Sequence, residues 1–200
     1  MNKLLISLLI SIGVSGAAWA QGDAAAGQGK AAVCFGCHGA DGNATAPAFP
    51  KLAGQHANYL VKQLKDIKGG VRPSPMMMAF ASGLADQDME DLAAFFSSLT
   101  VSKGEVADAD LVAQGKKIFS SGVPSKGVAA CAACHGPNGE GNGLAGFPAV
   151  KGQYSMYVEA QLKAFSKGDR ANDPSAMMRD IAGKMSESEI KAVSAYILAM

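Results

Sequence analysis

Apolar residues recur along this chain at helical spacing, and the same stripes occur twice. Leu60, Leu64 and Ile67 stand at i, i+4 and i+7, as do Val158, Leu162 and Phe165, which predicts one amphipathic helix in each half with one face buried. A later stripe, Met89, Leu92 and Phe96, is matched by Ile190, Val193 and Ile197 and predicts a closing helix. Ser186, with Glu189 three residues on, makes a capping box at the start of the second closing helix. In the first half Ala85 stands in that place, so Asp86 is the expected cap. An opening helix carries Gly29 with Val33 in one half and Gly115 with Phe119 in the other. A glycine there would let the closing helix, with Phe95 or Tyr196, cross closely. Strand patterns are almost absent, so the expected fold class is all-α.

The repetition extends to identities. Phe49-Pro50 returns as Phe147-Pro148, Gly54-Gln55 as Gly152-Gln153, Tyr59 as Tyr157, Gln63-Leu64 as Gln161-Leu162 and Arg72 as Arg170, all at one offset of 98. Such self-similarity marks a duplicated unit. Residues 100–110 (TVSKGEVADAD) are polar and aperiodic and read as a connection. The expected organisation is a first domain over 21–100, a linker over 101–110 and a second domain over 111–200, with an extra stretch, Ser120 to Ala130, in the second copy.

The first twenty residues have the form of a cleaved secretory signal: Lys3, an apolar run from Leu4 to Val14, then small residues ending Ala18-Trp19-Ala20. The mature chain would begin at Gln21, in the periplasm. No other stretch approaches the ~20 apolar residues that span a bilayer. Without the signal, 17 Lys and Arg face 17 Asp and Glu. That balance, with no basic run, argues against nucleic acid or an anionic membrane as the main partner. A composition 48% hydrophobic and 18% charged also excludes a disordered tail.

The chemistry lies in the cysteines. All four fall in two pentapeptides, Cys34-Phe-Gly-Cys37-His38 and Cys131-Ala-Ala-Cys134-His135, which also hold two of the three histidines. Cys-x-x-Cys-His is the attachment pattern of a c-type haem: two thiols one helical turn apart add to the vinyl groups, and the next histidine reaches the iron. Structural disulfides normally join distant segments, and both pairs here are local. A thioredoxin-like pair needs a βαβ context. A zinc site made from both motifs needs them ~15 to 20 residues apart, whereas 93 residues separate Cys37 from Cys131. Two covalent haem c groups are therefore expected. A unit of this size is short of apolar core by itself, and a haem would supply one, which suits an aromatic content of 6%.

The sixth iron ligand decides between electron transfer and substrate chemistry. Met76-Met77-Met78 and Met177-Met178 stand late in the two copies, in Pro-containing stretches expected to be non-helical (Pro73, Pro75; Pro174). The anchors Leu84 and Met185 precede the closing helices, and seven residues before them stand Met77 and Met178. These two are the expected axial ligands opposite His38 and His135, with Met76, Met78 and Met177 as alternatives. The carbonyls of Pro50 and Pro148 are candidates to accept the other ring N–H of the two histidines. His56 falls at Tyr154 in the other copy and is expected at the surface.

The order CxxCH, FPKLAGQ (FPAVKGQ in the second half), Met, LADQD and a helix with AAFF or SAYI resembles class I cytochrome c written twice. With the AAAGQGKAAVC opening, the chain closely resembles the dihaem cytochrome c4 family over essentially all of its mature length. The resemblance implies two cytochrome c domains related by a pseudo-twofold axis and His/Met ligation in each. It also implies a periplasmic role, often loosely at the membrane, carrying electrons toward terminal oxidases or other reductases.

The expected function is an electron carrier that breaks no substrate bond, takes no small-molecule substrate and docks weakly on redox proteins. Lys51, Lys62, Lys65, Lys163 and Lys167 are candidate docking points. The alternatives are the cytochrome subunit of a dehydrogenase, a dihaem peroxidase-like enzyme and a gas-binding sensor. An enzyme or sensor needs an open iron, and both copies keep a methionine.

Overall fold

The computed structural model describes residues 22–104 and 108–200. The expected signal segment, Gln21 and residues 105–107 of the expected linker lie outside the described residues. The first half contains α1 (Ala24–Lys30), α2 (Phe35–His38), α3 (Ala57–Lys68), α4 (Pro75–Ala81) and α5 (Asp86–Ser98). The second contains α6 (Ala109–Ser121), α7 (Ala132–His135), α8 (Ser155–Lys167), α9 (Met177–Gly183) and α10 (Glu187–Ala199). Among the described residues there is no strand, only isolated bridges at Val123–Val128 and Asn142–Phe147. The all-α class therefore holds, with two short helices per half beyond the three that periodicity reveals.

The two short helices are those that carry the chemistry. A helix of four to seven residues is too short for a periodic stripe, so α2 and α7 showed only as motifs. The methionine stretches, expected to be irregular, are helical. Pro75 begins α4, where a missing backbone N–H leaves no bond unmade.

In each half the opening helix crosses the closing helix, and a glycine sits at the crossing. A Cβ on Gly115 would lie 2.0 Å from the Ala192 carbonyl oxygen and 2.8 Å from Tyr196 Cβ. In the first half the residue is Gly27, not Gly29. A Cβ on Gly27 would lie 2.0 Å from the Asp91 carbonyl oxygen, whereas one on Gly29 meets nothing within 4 Å. One turn on, Ala31 is buried and Val33 is exposed, while Phe119 is fully buried in the other half. The repeat is thus offset differently here, because the second copy inserts the turn around Pro124–Lys126 before its motif.

The first crossing is also pinned by charge. Lys30 Nζ lies 2.6 Å from Asp91 and 2.7 Å from Asp88. Asp91 further accepts from the Asp23 N–H and from Gln87, each at 2.9 Å. These bonds hold the buried Asp91 carboxyl down to about 2, the Lys30 ammonium first among the causes. Ile118 and Ala192 take the corresponding places in the second half. The closing helices differ at their starts too. Ser186 accepts from the Glu189 N–H and donates its own N–H to that carboxylate at 2.7 Å. In the first half Asp88, not Asp86, performs the second task, accepting from the Ala85 N–H at 2.9 Å. Asp86 instead faces Lys65 at 3.1 Å.

The halves meet through exchanged glutamines. Gln55 donates to the Ala149 carbonyl at 2.8 Å and accepts from its N–H at 2.9 Å. Gln153, one repeat later, makes the same two bonds with Lys51, both 2.9 Å. Each half therefore offers the other one backbone residue and one side chain, in the pattern a pseudo-twofold axis requires. His56 is part of this seam rather than a surface residue, donating from Nε2 to the Glu140 carbonyl at 2.9 Å. Its counterpart Tyr154 donates its hydroxyl to the Ala44 carbonyl.

Candidate functional site

Each motif is shaped by its own short helix. Cys34 and Cys37 stand three residues apart at α2, as Cys131 and Cys134 do at α7, so both thiols of a pair share one helix face. No disulfide joins these four cysteines. Burial pushes the Cys34 thiol up and the Cys131 thiol up to about 11. Directly after each histidine comes a glycine with positive φ, Gly39 at 78° and Gly136 at 77°. That conformation, costly for other residues, stops the helix and turns the chain back over the imidazole.

The returning chain brings a proline carbonyl to each ring. His38 Nδ1 lies 2.9 Å from the Pro50 carbonyl oxygen, and His135 Nδ1 lies 2.9 Å from that of Pro148. A carbonyl can only accept, so Nδ1 carries the proton and Nε2 keeps its lone pair. Burial lowers both imidazoles below the ordinary histidine value, with the proline bonds opposing the shift. Neutral imidazole with a free Nε2 is the form that binds iron.

Both rings face one continuous cavity of about 830 Å³ that runs through both halves. Its wall includes all four cysteines, both histidines, both prolines, and the apolar stripe residues Leu60, Leu64, Val158 and Leu162. Four of the five clustered methionines reach it, Met76, Met77, Met177 and Met178, but not Met78. Met76 and Met177 are largely exposed, at 58% and 40%, while Met77 and Met178 are half-buried. Among the described residues no three His, Cys, Asp or Glu side chains converge into a metal cage. Paired thiols, a neutral imidazole and a thioether around a long apolar cavity fit a flat macrocycle attached at two points and ligated from both faces.

Sequence reasoning missed the polar floor where the halves of the cavity join. Arg170 donates to Tyr59 at 3.0 Å, Gln63 at 3.0 Å and Gln161 at 2.8 Å. Arg72 donates to Tyr157 at 2.9 Å, Gln161 at 3.1 Å and Gln63 at 2.9 Å. These are the residues repeated at offset 98. Their signal was present, but it read as duplication and not as the contact between the duplicates. Two of the expected docking lysines belong to the same seam. Lys51 is 4% exposed, donates to the Ser102 carbonyl at 2.6 Å and lies 4.5 Å over the Tyr154 ring. Lys62 pairs with Asp66 and donates to the Asn172 carbonyl at 2.9 Å. Lys65 and Lys163 face Asp86 and Glu159 on the surface.

A model of the cytochrome c family matches residues 24–100 and again 112–200. Cytochrome c4 of Pseudomonas aeruginosa is 52% identical over 198 residues, 98% of each chain. A thiosulfate dehydrogenase electron acceptor of Stutzerimonas stutzeri is 39% identical, over 83% of this chain and 78% of that protein. The crystal structure of reduced cytochrome c4 from Pseudomonas stutzeri superposes with a TM-score of 0.86 at 49% identity, over 90% of this chain and 99% of that one. With the motif geometry repeated in both halves and a match of this extent, the chain belongs to the cytochrome c family, among the dihaem cytochrome c4 electron carriers with two covalent haem c groups.

Proposed function

We propose that the protein is a periplasmic carrier that moves single electrons from respiratory-chain donors to a terminal oxidase or other reductase and catalyses no substrate reaction. Cys34, Cys37, Cys131 and Cys134 would form the thioethers to the two haems, and His38 with Met77, and His135 with Met178, would ligate their irons, within domains spanning 21–100 and 111–200 about the connection 101–110. The observation that carries this reading is the recurrence, in both halves, of a proline-held imidazole and a half-buried methionine on the same cavity.

The haem, once attached, supplies an iron that accepts one electron and gives it up again. The protein's own groups hold that exchange to a small rearrangement. Pro50 and Pro148 fix the tautomer and orientation of the histidines and increase their basicity. A methionine thioether is a soft ligand that favours the ferrous state and raises the potential relative to bis-histidine ligation. With a histidine and a methionine committed to each iron, no open iron site would be left for a substrate. Partners dock weakly at the cavity mouth, where the first half exposes Val33, Met76 and Phe80. Redox interfaces of this kind bury less than ~1,200 Å².

Absorption spectra of the haem-loaded protein, oxidised and reduced, before and after carbon monoxide, test the reading. Two low-spin haems that ignore the gas are the expected result. Rapid binding at one haem would overturn it in favour of an enzyme or sensor. A second reading, the electron-accepting partner of a dehydrogenase, is favoured by the likeness to the thiosulfate dehydrogenase electron acceptor. Rapid reduction by a purified thiosulfate dehydrogenase, and not by other donors, would single it out.

A further inference from the structure

The two methionine segments are built differently. From Arg72 to Met77 the first copy takes five steps, while from Arg170 to Met178 the second takes eight. The three added residues are accommodated by two successive left-handed residues that are not glycine, Ser175 at φ 52° and Ala176 at φ 56°. Each such conformation is disfavoured for a residue that carries a Cβ, so something must hold the pair.

Asp173 does. Its side chain is only 3% exposed, and its carboxylate spans the turn to Arg179, accepting from the backbone N–H at 3.0 Å and from Nε at 2.8 Å. These bonds close a ring of chain that contains Met177 and Met178, and they satisfy an otherwise free N–H in the first turn of α9, whose preceding residue, Ala176, has no acceptor. Met178 also packs against the buried cluster of Phe119, Leu162, Ile190 and neighbours. The first half has neither feature. Ser74 makes no side-chain bond at the start of α4, and none of Met76, Met77 and Met78 joins the buried cluster of that half.

We propose that the Asp173–Arg179 pair is a strap that positions Met178, so that the second haem holds its methionine against displacement while the first haem, whose segment has no strap, exchanges its methionine more readily. Asp173 stands on the cavity wall and Arg179 does not; the strap acts through the backbone N–H that Asp173 binds. The inference rests on Met178 being the second sixth ligand, and the experiment separates the two.

Imidazole is titrated into the ferric, haem-loaded full chain, and loss of the weak far-red methionine-to-iron band is followed. The wild-type protein should lose the band in two steps, one haem at low imidazole and one at high. Charge-assisted hydrogen bonds contribute about 1.5–3 kcal/mol, so D173N should bring the second step down by roughly tenfold or more in imidazole. D180N, an equal charge change on the same helix at a carboxylate facing Lys184, should leave both steps in place. If D173N does not incorporate haem, R179Q removes the ion pair while leaving the backbone bond and should move the second step in the same direction. M178A should abolish the second step alone. If M178A leaves two steps, the ligand assignment is wrong. If M178A removes the second step but neither D173N nor R179Q shifts it, the strap is overturned and the ligand stands.

Discussion

Arg170 crosses from the second half to the hydroxyl of Tyr59 at 3.0 Å, and Arg72 returns the contact to the hydroxyl of Tyr157 at 2.9 Å. The four residues are two copies of one pair, exchanged. A buried guanidinium is tolerated only when its donors are satisfied, and Arg170, 7% exposed, is satisfied by Asn172, Gln161, Tyr59 and Gln63 and by the Phe165 ring 4.5 Å away. Two of these partners, Tyr59 and Gln63, belong to the other half, so neither half completes its own polar floor alone.

The glutamine exchange should therefore set whether the halves unfold together. Replacing Gln55 by Ala removes two interdomain hydrogen bonds and leaves the Ala149 backbone unpartnered, at a cost of about 1–3 kcal/mol. The double change Q55A/Q153A should convert one thermal transition into two, read by calorimetry on the haem-loaded protein. A single unchanged transition would show that the cavity contacts alone join the halves.

How far the sequence foretold this follows from the length of each element. The long amphipathic helices α3, α5, α8 and α10 were legible because their stripes run over three turns. The helices α2, α4, α7 and α9 were not, since four to seven residues cannot show a period, though the motifs they carry were legible as chemistry. The proline carbonyls could be named because the offset from histidine to Phe-Pro is nearly constant. The seam was hidden for another reason: Lys51 and His56 are polar residues, and polarity in a sequence reads as surface unless the partner half is known to cover it. Asp173 was hidden because its effect depends on two left-handed residues that no composition signals.

The crossing of α1 and α5 offers a test of register. G27A would place a methyl group 2.0 Å from the Asp91 carbonyl oxygen, forcing the helices apart at a cost of about 1–3 kcal/mol or more. G29A, two residues on and facing open space, should stabilise α1 by roughly 0.5–1 kcal/mol, the ordinary gain of alanine over glycine in a helix. Denaturant midpoints of the two variants should move in opposite directions. Equal effects would mean that the helix is rotated from the position described.

Acid should loosen the first half through Asp91. Its carboxyl is depressed from 3.8 to about 2, so the folded state holds the charged form more tightly than the unfolded chain does. The stability this supplies is fully present above the ordinary carboxylate value and is lost as pH falls from about 4 toward about 2. Asp91→Asn should lower the thermal midpoint at neutral pH and flatten the decline over that acid window. The second half has Ala192 in this place, so it offers no counterpart to this carboxylate. A variant with the wild-type acid profile would remove Asp91 from the account.

The ligand within the first cluster can be read by single replacements. Met78 does not reach the cavity, and Met76 is 58% exposed, whereas Met77 is half-buried on the cavity wall. M77A should abolish the methionine-to-iron band of one haem, leave the other intact, and lower the potential of the altered haem, because the soft ligand that favours ferrous iron has gone. M76A and M78A should leave both bands and both potentials near their original values. Persistence of both bands in M77A, with loss in M76A, would move the ligand by one residue and leave the histidine side of the site as described.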